Sequence, residues 1–438
     1  MSIHVIGLGV AAQAFLDEEA LAALQAATRV VGSERQIATV RWWLGAKQTV
    51  EILPALPQLK EKLASWLADG TENIAILASG DPLFYGIGKW VKENAPSGSL
   101  RFYPAVSSVQ VACHRLGVSL QDVTVLSLHG RPLAKLLTQL RRGQALMLLT
   151  DAQSRPQQIA ALCVDAGFAD SELVVCEALG YPHEKVTRYH VSQLTTPEAD
   201  RLKFDPLQVT YLEVRGSGTY LPAFPGIPDT NFVTDREGGK GMLTKREIRL
   251  AILSWLQPGG DDCIWDIGAG CGSVAVELSY WCPDVKVYAI EHHPERVRCL
   301  TANQARFGVV SNLHIVEGRA PDVCESLPTP DKVFIGGSGG ELTSLLELAW
   351  ARLPYQGVLL VSAVTEATRQ GLYRFYQQRE QVQDVTMETL EVAIRRGETL
   401  AGELLYRPGL PVTLYRFEKC RLSPLPVESD SPASGDWV

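Results

Sequence analysis

The chain alternates short apolar runs with amphipathic stretches of helical period almost from end to end. IHVIG from Ile3 predicts a strand running into Gly7 and Gly9, and AFLDEEALAALQAA behind it predicts a helix. The unit of strand, polar turn and helix then recurs. Ile74 to Ala78 closes on Ser79-Gly80-Asp81-Pro82, LRFY leads to a strand-to-helix turn at Ser107 and Ser108, and ALMLLT closes on Thr150-Asp151 before PQQIAALCVDAG. VVCEALGYPHEKV and LQVTYLEV complete this part. From Arg215 to Gly241 the periodicity stops and Gly, Pro, Asp and Thr dominate, which predicts a linker. TKREIRLAILSWL then predicts a helix with Thr244 as N-cap and Glu247 three residues on, a capping box. CIWDI, VYAIE, LHIV, KVFI and GVLLVSAV follow as strands between helices, and VQDVTMETLEVAI with VTLYRFEK forms a closing pair. This alternation predicts an α/β protein throughout, with a mostly parallel sheet in the C-terminal part.

The stretch richest in chemistry is CIWDIGAGCGSV, Cys263 to Val274. An apolar strand ends in Asp266, and Gly268, Gly270 and Gly272 alternate with Ala269 and Cys271 before a helix resumes. A loop of this kind holds a small molecule against its backbone, because glycines without Cβ admit close approach and positive φ. The charge pattern narrows the ligand. A dinucleotide fingerprint needs a glycine where Ser273 stands, and Asp266 repels a pyrophosphate, whereas it suits a ligand carrying an ammonium and a sulfonium, such as S-adenosylmethionine. About 20 residues on, VYAIE ends in Glu291, placed to accept from ribose hydroxyls. A nicotinamide oxidoreductase is disfavoured on the same grounds.

The motifs Gly-Leu-Gly, ASGDPLFYG, PAVSSVQ, LLTDA, EALGYPHEKV and LQVTYLE, in this order over residues 1–215, resemble the tetrapyrrole methylases that act on corrin precursors. The resemblance implies two α/β lobes with S-adenosylmethionine in the cleft between them, and carries cofactor contacts onto Gly80, Asp81, Pro82, Ser107, Ser108 and Thr150. Local capping explains Asp81-Pro82 unaided. Val10 and Ala105 depart from the family's usual Pro and Gly. Over residues 242–420, MLTKREIR, WDIGAGCGSV, AIE, EGRAPD and VFIGGSGG resemble the decarboxylating precorrin methyltransferases, with a Rossmann-like sheet. This implies cofactor contacts at Thr244, Asp266, Gly268, Ala269, Gly270, Cys271, Gly272, Glu291 and Ala320. Arg319 stands where that family commonly has Asp. Lys245, Arg246 and Arg249 offer positive charge nearby, and GGSGG with Gly337, Ser338 and Gly339 offers an anion-binding nest for a substrate carboxylate. The fused order resembles the family that methylates C5 and C15 of precorrin-6B in cobalamin biosynthesis and removes the ring C acetate carboxyl. It implies two S-adenosylmethionine sites, a polycarboxylate tetrapyrrole substrate, metal-free or cobalt-bound, and a homo-oligomer, a tetramer formed through the C-terminal domain. A chain with one active half and one binding or scaffolding half stays open.

Composition agrees with that picture. At 438 residues the chain exceeds one ordinary core, so two or three domains are expected at ~150 residues each. Residues 216–241 are the expected linker and 421–438, rich in Pro, Ser and Asp, an expected disordered tail. Nine scattered cysteines without a Cys-x-x-Cys pair suggest neither a disulfide framework nor a metal site. MSIHVIGLG enters a strand without a basic leader, and no run reaches the ~18 apolar residues of a membrane span, so a cytoplasmic protein is expected. The net charge of −8 disfavours nucleic-acid binding and requires any positive charge meeting an anionic substrate to be local.

Overall fold

A computed structural model of the protein describes residues 2–68, 72–95, 99–236 and 241–421; the remainder of the expected tail, 422–438, lies outside the described residues. The chain divides into two compact units, 1–219 and 220–438. Among the described residues, no helix is long and apolar enough to cross a membrane.

The first unit holds two five-stranded sheets. β1 (Ser2–Gly7), β2 (Arg29–Gly32), β3 (Thr49–Ile52), β4 (Asn73–Ala78) and β5 (Ser99–Tyr103) pair in the order β3-β2-β4-β1-β5, all parallel. Val5, Ile74 and Ile76 pack into one core and Ile6, Ala75 and Leu77 into another, so consecutive residues are apolar because both faces are covered. The second sheet comprises β6 (Thr124–Ser127), β7 (Ala145–Leu149), β8 (Glu172–Glu177), β9 (Lys185–His190) and β10 (Gln208–Glu213) in the order β6-β7-β10-β8-β9. Only β6 and β7 run parallel there. An isolated bridge between Gly9 and Gly80 joins the turns that leave β1 and β4.

The second unit is built on seven strands. β11 (Cys263–Ile267), β12 (Lys286–Glu291), β13 (Leu313–Glu317), β14 (Lys332–Ile335) and β15 (Val358–Ala363) are parallel. β16 (Val385–Val392) opens the closing pair, β17 (Arg395–Leu400) and β18 (Glu403–Pro408) form a separate hairpin, and β19 (Val412–Lys419) returns antiparallel between β15 and β16. The order β13-β12-β11-β14-β15-β19-β16 places the reversal of chain progression between β11 and β14.

Two expectations change. The stretch expected as a linker is, from Tyr220 to Arg236, part of the second unit: Ile227 and Phe232 are buried in its core, and Glu277 accepts the amides of Gly226 and Ile227 at 2.8 and 2.9 Å. Its lack of periodicity reflects a strap held by individual polar anchors. The helix begins at Arg246, with Lys245 at the N-cap and no side-chain cap, so the Thr244 capping box does not form. Glu247 instead pairs with Arg396 of β17 at 2.6 Å.

Candidate active sites

The turns leaving β11, β12, β13 and β14 enclose a cavity of about 510 Å³, closed on one side by Met242 to Lys245. An open α/β sheet binds ligands in this crevice, outside the carboxyl ends of the strands where their order reverses. Ile267 to Gly270, Glu291, Ala320 and Gly337 to Gly339 line it, together with Thr244 and Lys245. Lys245 lies 3.9 Å from Asp229.

The glycine-rich loop is shaped chiefly by contacts within the protein. A Cβ on Gly268 would stand 2.6 Å from the Gly337 carbonyl oxygen, and one on Gly270 2.6 Å from that of Met242; both residues have positive φ. Gly272 packs so closely on Leu300 that a Cβ has no room. At Gly337, by contrast, a Cβ would meet nothing within 4 Å, which leaves a cradle beside the loop where a ligand can lie against backbone.

Three expected contacts do not reach this cavity. Asp266 is fully buried beneath the loop; one carboxylate oxygen accepts the Ala275 amide at 3.1 Å and the other has no partner. Burial pushes its carboxyl up to about 7, against the pull of the Ala275 amide and with reinforcement from the charge of Glu291. Cys271 is buried, its Sγ 3.7 Å from Asp235, and burial pushes its thiol up to about 12. Gly272 serves helix packing. Glu291 lines the cavity, but its carboxylate accepts the Gly270 amide and the amides of His292 and His293, each at 2.9 Å, so it organises two turns. Arg249 is wholly buried against Glu277, which removes it from the cations available to substrate.

Sequence reasoning did not single out Arg296 and His292, which line the cavity, and treated Arg319 only as a departure. Arg319 donates to the Gly339 carbonyl at 3.2 Å and lies 3.7 Å from Glu341, so it ties the turn after β13 to GGSGG. Arg296 and the Met242 amide both bind Asp235, which anchors the strap beside the cavity.

The first unit has its own cavity, about 260 Å³, lined by the turns that leave β1 and β4 of the first sheet and by residues of β8 and β10 of the second. Gly80 and Ser108 line it; Asp81, Pro82, Ser107 and Thr150 do not. Three of the four have a local explanation. Asp81 accepts from the amides of Leu83, Phe84 and Ala105, and Pro82 follows it in a turn, the helix beginning only at Gly88. Ser107 forms a capping box with Gln110. Thr150 Oγ1 is buried without a partner, away from the lining. Residues that were not expected as cofactor contacts line it as well: Arg35, Ser79, His129, Tyr181 and Gln208. Gln208 Oε1 is a buried acceptor without a partner, and Gly9 is a position where a Cβ would meet nothing within 4 Å. An unfilled acceptor and an open backbone cradle fit a ligand bearing amino groups, as S-adenosylmethionine does.

Comparison with known proteins assigns both units. Residues 2–195 match the family model of tetrapyrrole (corrin/porphyrin) methylases, and residues 236–419 that of the precorrin methyltransferase domain. The precorrin-6Y C(5,15)-methyltransferase [decarboxylating] of Sinorhizobium sp is 33% identical over 419 residues, covering 95% of this chain and 96% of that one. Its namesake from Mycobacterium tuberculosis (strain CDC 1551 / Oshkosh) is 32% identical over 427 residues, covering 95% and 100%. A probable cobalt-precorrin-6B C(15)-methyltransferase (decarboxylating) from Pyrobaculum aerophilum is 34% identical over 43% of this chain and 94% of its own. The chain belongs to the family of decarboxylating precorrin-6Y C5,15-methyltransferases.

Proposed function

We propose that the protein carries out both methyl transfers of its family on one chain, the first unit at C5 and the second at C15, with loss of the ring C acetate carboxyl in the second. The observation that carries this reading is the presence of two separate cavities, each in a unit matched by a methyltransferase family model. The substrate is a precorrin-6Y-type tetrapyrrole, and S-adenosylmethionine, bound once in each unit, supplies a methyl group already activated by its sulfonium.

In the first unit Gly9 and Gly80 offer backbone to the cofactor and Gln208 offers an acceptor. In the second, Gly268 to Gly270 and Gly337 hold it, in a loop braced by Glu291. With an electron-rich macrocycle carbon as nucleophile, alignment supplies most of the rate. The second cavity is rimmed by Lys245, Arg296, Arg319 and the GGSGG turn, a cationic and amide-rich edge suited to orienting an acetate for decarboxylation. The C15 relative from Pyrobaculum, named as decarboxylating, supports placing that step in the second unit. A tetramer formed through the second unit is part of this reading, and the exposed Leu400, Leu404, Tyr406 and Leu410 of the β17–β18 hairpin and the residues after it support association at that surface.

The test is mass spectrometry of the full chain with the tetrapyrrole, offered metal-free or as its cobalt complex, and methyl-labelled cofactor. Two labelled methyl groups gained and one carbon dioxide lost are expected. Calorimetric titration should give two cofactor sites per chain; a single site would leave one unit as a binding or scaffolding half.

A further inference from the structure

The first cavity is edged by a cluster of polar side chains that is rich in hydrogen-bond donors and holds no carboxylate. Arg35 Nη2 donates to Ser79 Oγ at 2.9 Å and Arg35 Nη1 to the Tyr181 hydroxyl oxygen at 3.3 Å, while Gln36 Nε2 also donates to Ser79 Oγ at 3.0 Å. Ser79 therefore accepts twice, and its hydroxyl hydrogen stays available; the same holds for Tyr181, whose oxygen accepts from Arg35. A guanidinium has five N–H donors, of which these contacts use two. Among the described residues Arg35 pairs with no carboxylate, and no carboxylate lines the cavity. Two hydroxyls and a fork-shaped cation, held together and without an anion, match a carboxylate in charge and geometry.

We propose that Arg35, Ser79 and Tyr181 form a carboxylate-binding cluster that seats one acid arm of the tetrapyrrole in the first site. The inference rests on the reading of the first unit as the C5 site and adds the residues that recognise substrate there. Arg35 and Ser79 are exposed at the cavity edge, where the peripheral acid arms of a macrocycle fall. In a chain of net charge −8 that must attract a polyanion, a cation without a counterion at this edge is the local attraction required. The cofactor also carries a carboxylate, and kinetics distinguish the two sources.

In the full chain, with the C5 methyl counted by mass, Arg35→Gln should raise KM for the tetrapyrrole about ten-fold or more, leaving kcat and KM for S-adenosylmethionine within about two-fold. Arg35→Lys, which keeps the charge and loses the fork, should recover part of the loss, and Tyr181→Phe and Ser79→Ala should each show a smaller rise. Added salt should raise the wild-type KM and flatten in Arg35→Gln. An unchanged tetrapyrrole KM, or a rise confined to the cofactor KM, overturns the proposal. Gly80→Val tests the underlying assignment separately: if it spares C5 transfer, the first unit is not the C5 site. If Gly80→Val abolishes C5 transfer while Arg35→Gln leaves the tetrapyrrole KM unchanged, only the cluster is refuted.

Discussion

The carboxylate of Glu291 accepts the amide of Gly270 at 2.9 Å, and through this contact the end of β12 holds the glycine-rich loop that leaves β11. Its other oxygen accepts from His292 and His293, so one acidic side chain closes two turns of the cavity. A carboxylate suits this position because both oxygens face donors. Glu291→Gln should turn an amide N–H₂ toward one of those donors and Glu291→Ala should leave all three amides unpaired, costing about 1–3 kcal/mol. Cofactor titration and thermal melting of the two variants should show the second site weakened and the first unchanged. Full retention of second-site affinity in Glu291→Ala would mean the loop keeps its shape without the carboxylate.

Asp266 makes stability depend on pH. Its folded-state carboxyl is raised to about 7, above the ordinary range near 4 of an unfolded chain. Between those values the folded protein holds the proton more tightly than the unfolded one, so stability falls as pH rises from about 4 to about 7 and levels off above. The slope from this group is at most roughly 1.4 kcal/mol per pH unit. Asp266→Asn should lose that slope: relative to wild type, the variant should gain stability as pH is raised from 5 to 7.5. Parallel pH profiles from denaturant unfolding of the two proteins would show that Asp266 is ionised throughout.

The elements were legible where burial alone writes the pattern. Strands such as Ile74–Ala78 and Leu359–Val361 are apolar at consecutive positions because parallel sheets are covered on both faces, and the Asp266 and Glu291 turns sit where strand ends predict them. The sites were legible only as backbone. Arg35 and Tyr181 lie 146 residues apart and are ordinary polar residues until the fold brings them to one hydroxyl-rich edge, so no local pattern distinguishes them. Asp266 misled because an acid before a glycine loop reads the same whether it faces a ligand or supports the loop from below. The strap misled for the opposite reason. Its Gly and Pro content resembles a linker, while its anchors, Ile227, Asp229 and Phe232, are too sparse to make a period.

Arg249 and Glu277 form a wholly buried ion pair at 2.5 Å. Arg249 also donates to the carbonyls of Ile227 and Thr244 and to Asp229, and Glu277 accepts from Gly226, Ile227 and Trp281. The pair therefore closes the strap onto the helix that follows it. Arg249→Met should leave Glu277 charged and buried, costing about 3–5 kcal/mol, and should lower the unfolding transition of the second unit in calorimetry. A loss confined to activity, with the transition unmoved, would instead make Arg249 a substrate-facing group.

The same network predicts where the second unit can be cut. A fragment beginning at Tyr220 keeps the strap: the Tyr220 carbonyl accepts from Asn231, the Tyr220 ring lies under the Arg306 guanidinium at 4.0 Å, and Phe232 packs on Phe307 with ring centroids 5.0 Å apart. A fragment beginning at Gly241 loses every strap partner of Glu277, Arg249 and Asn303, stranding buried charge and amide groups. The fragment 220–438 should therefore fold cooperatively with near-native circular dichroism, and 241–438 should be unfolded or aggregated. Because the whole second cavity lies within 220–438, that fragment given the tetrapyrrole and S-adenosylmethionine should yield a product heavier by one methyl and lighter by one carbon dioxide. A folded 220–438 fragment that methylates without ever releasing carbon dioxide would separate the two reactions and place decarboxylation outside the second unit acting alone.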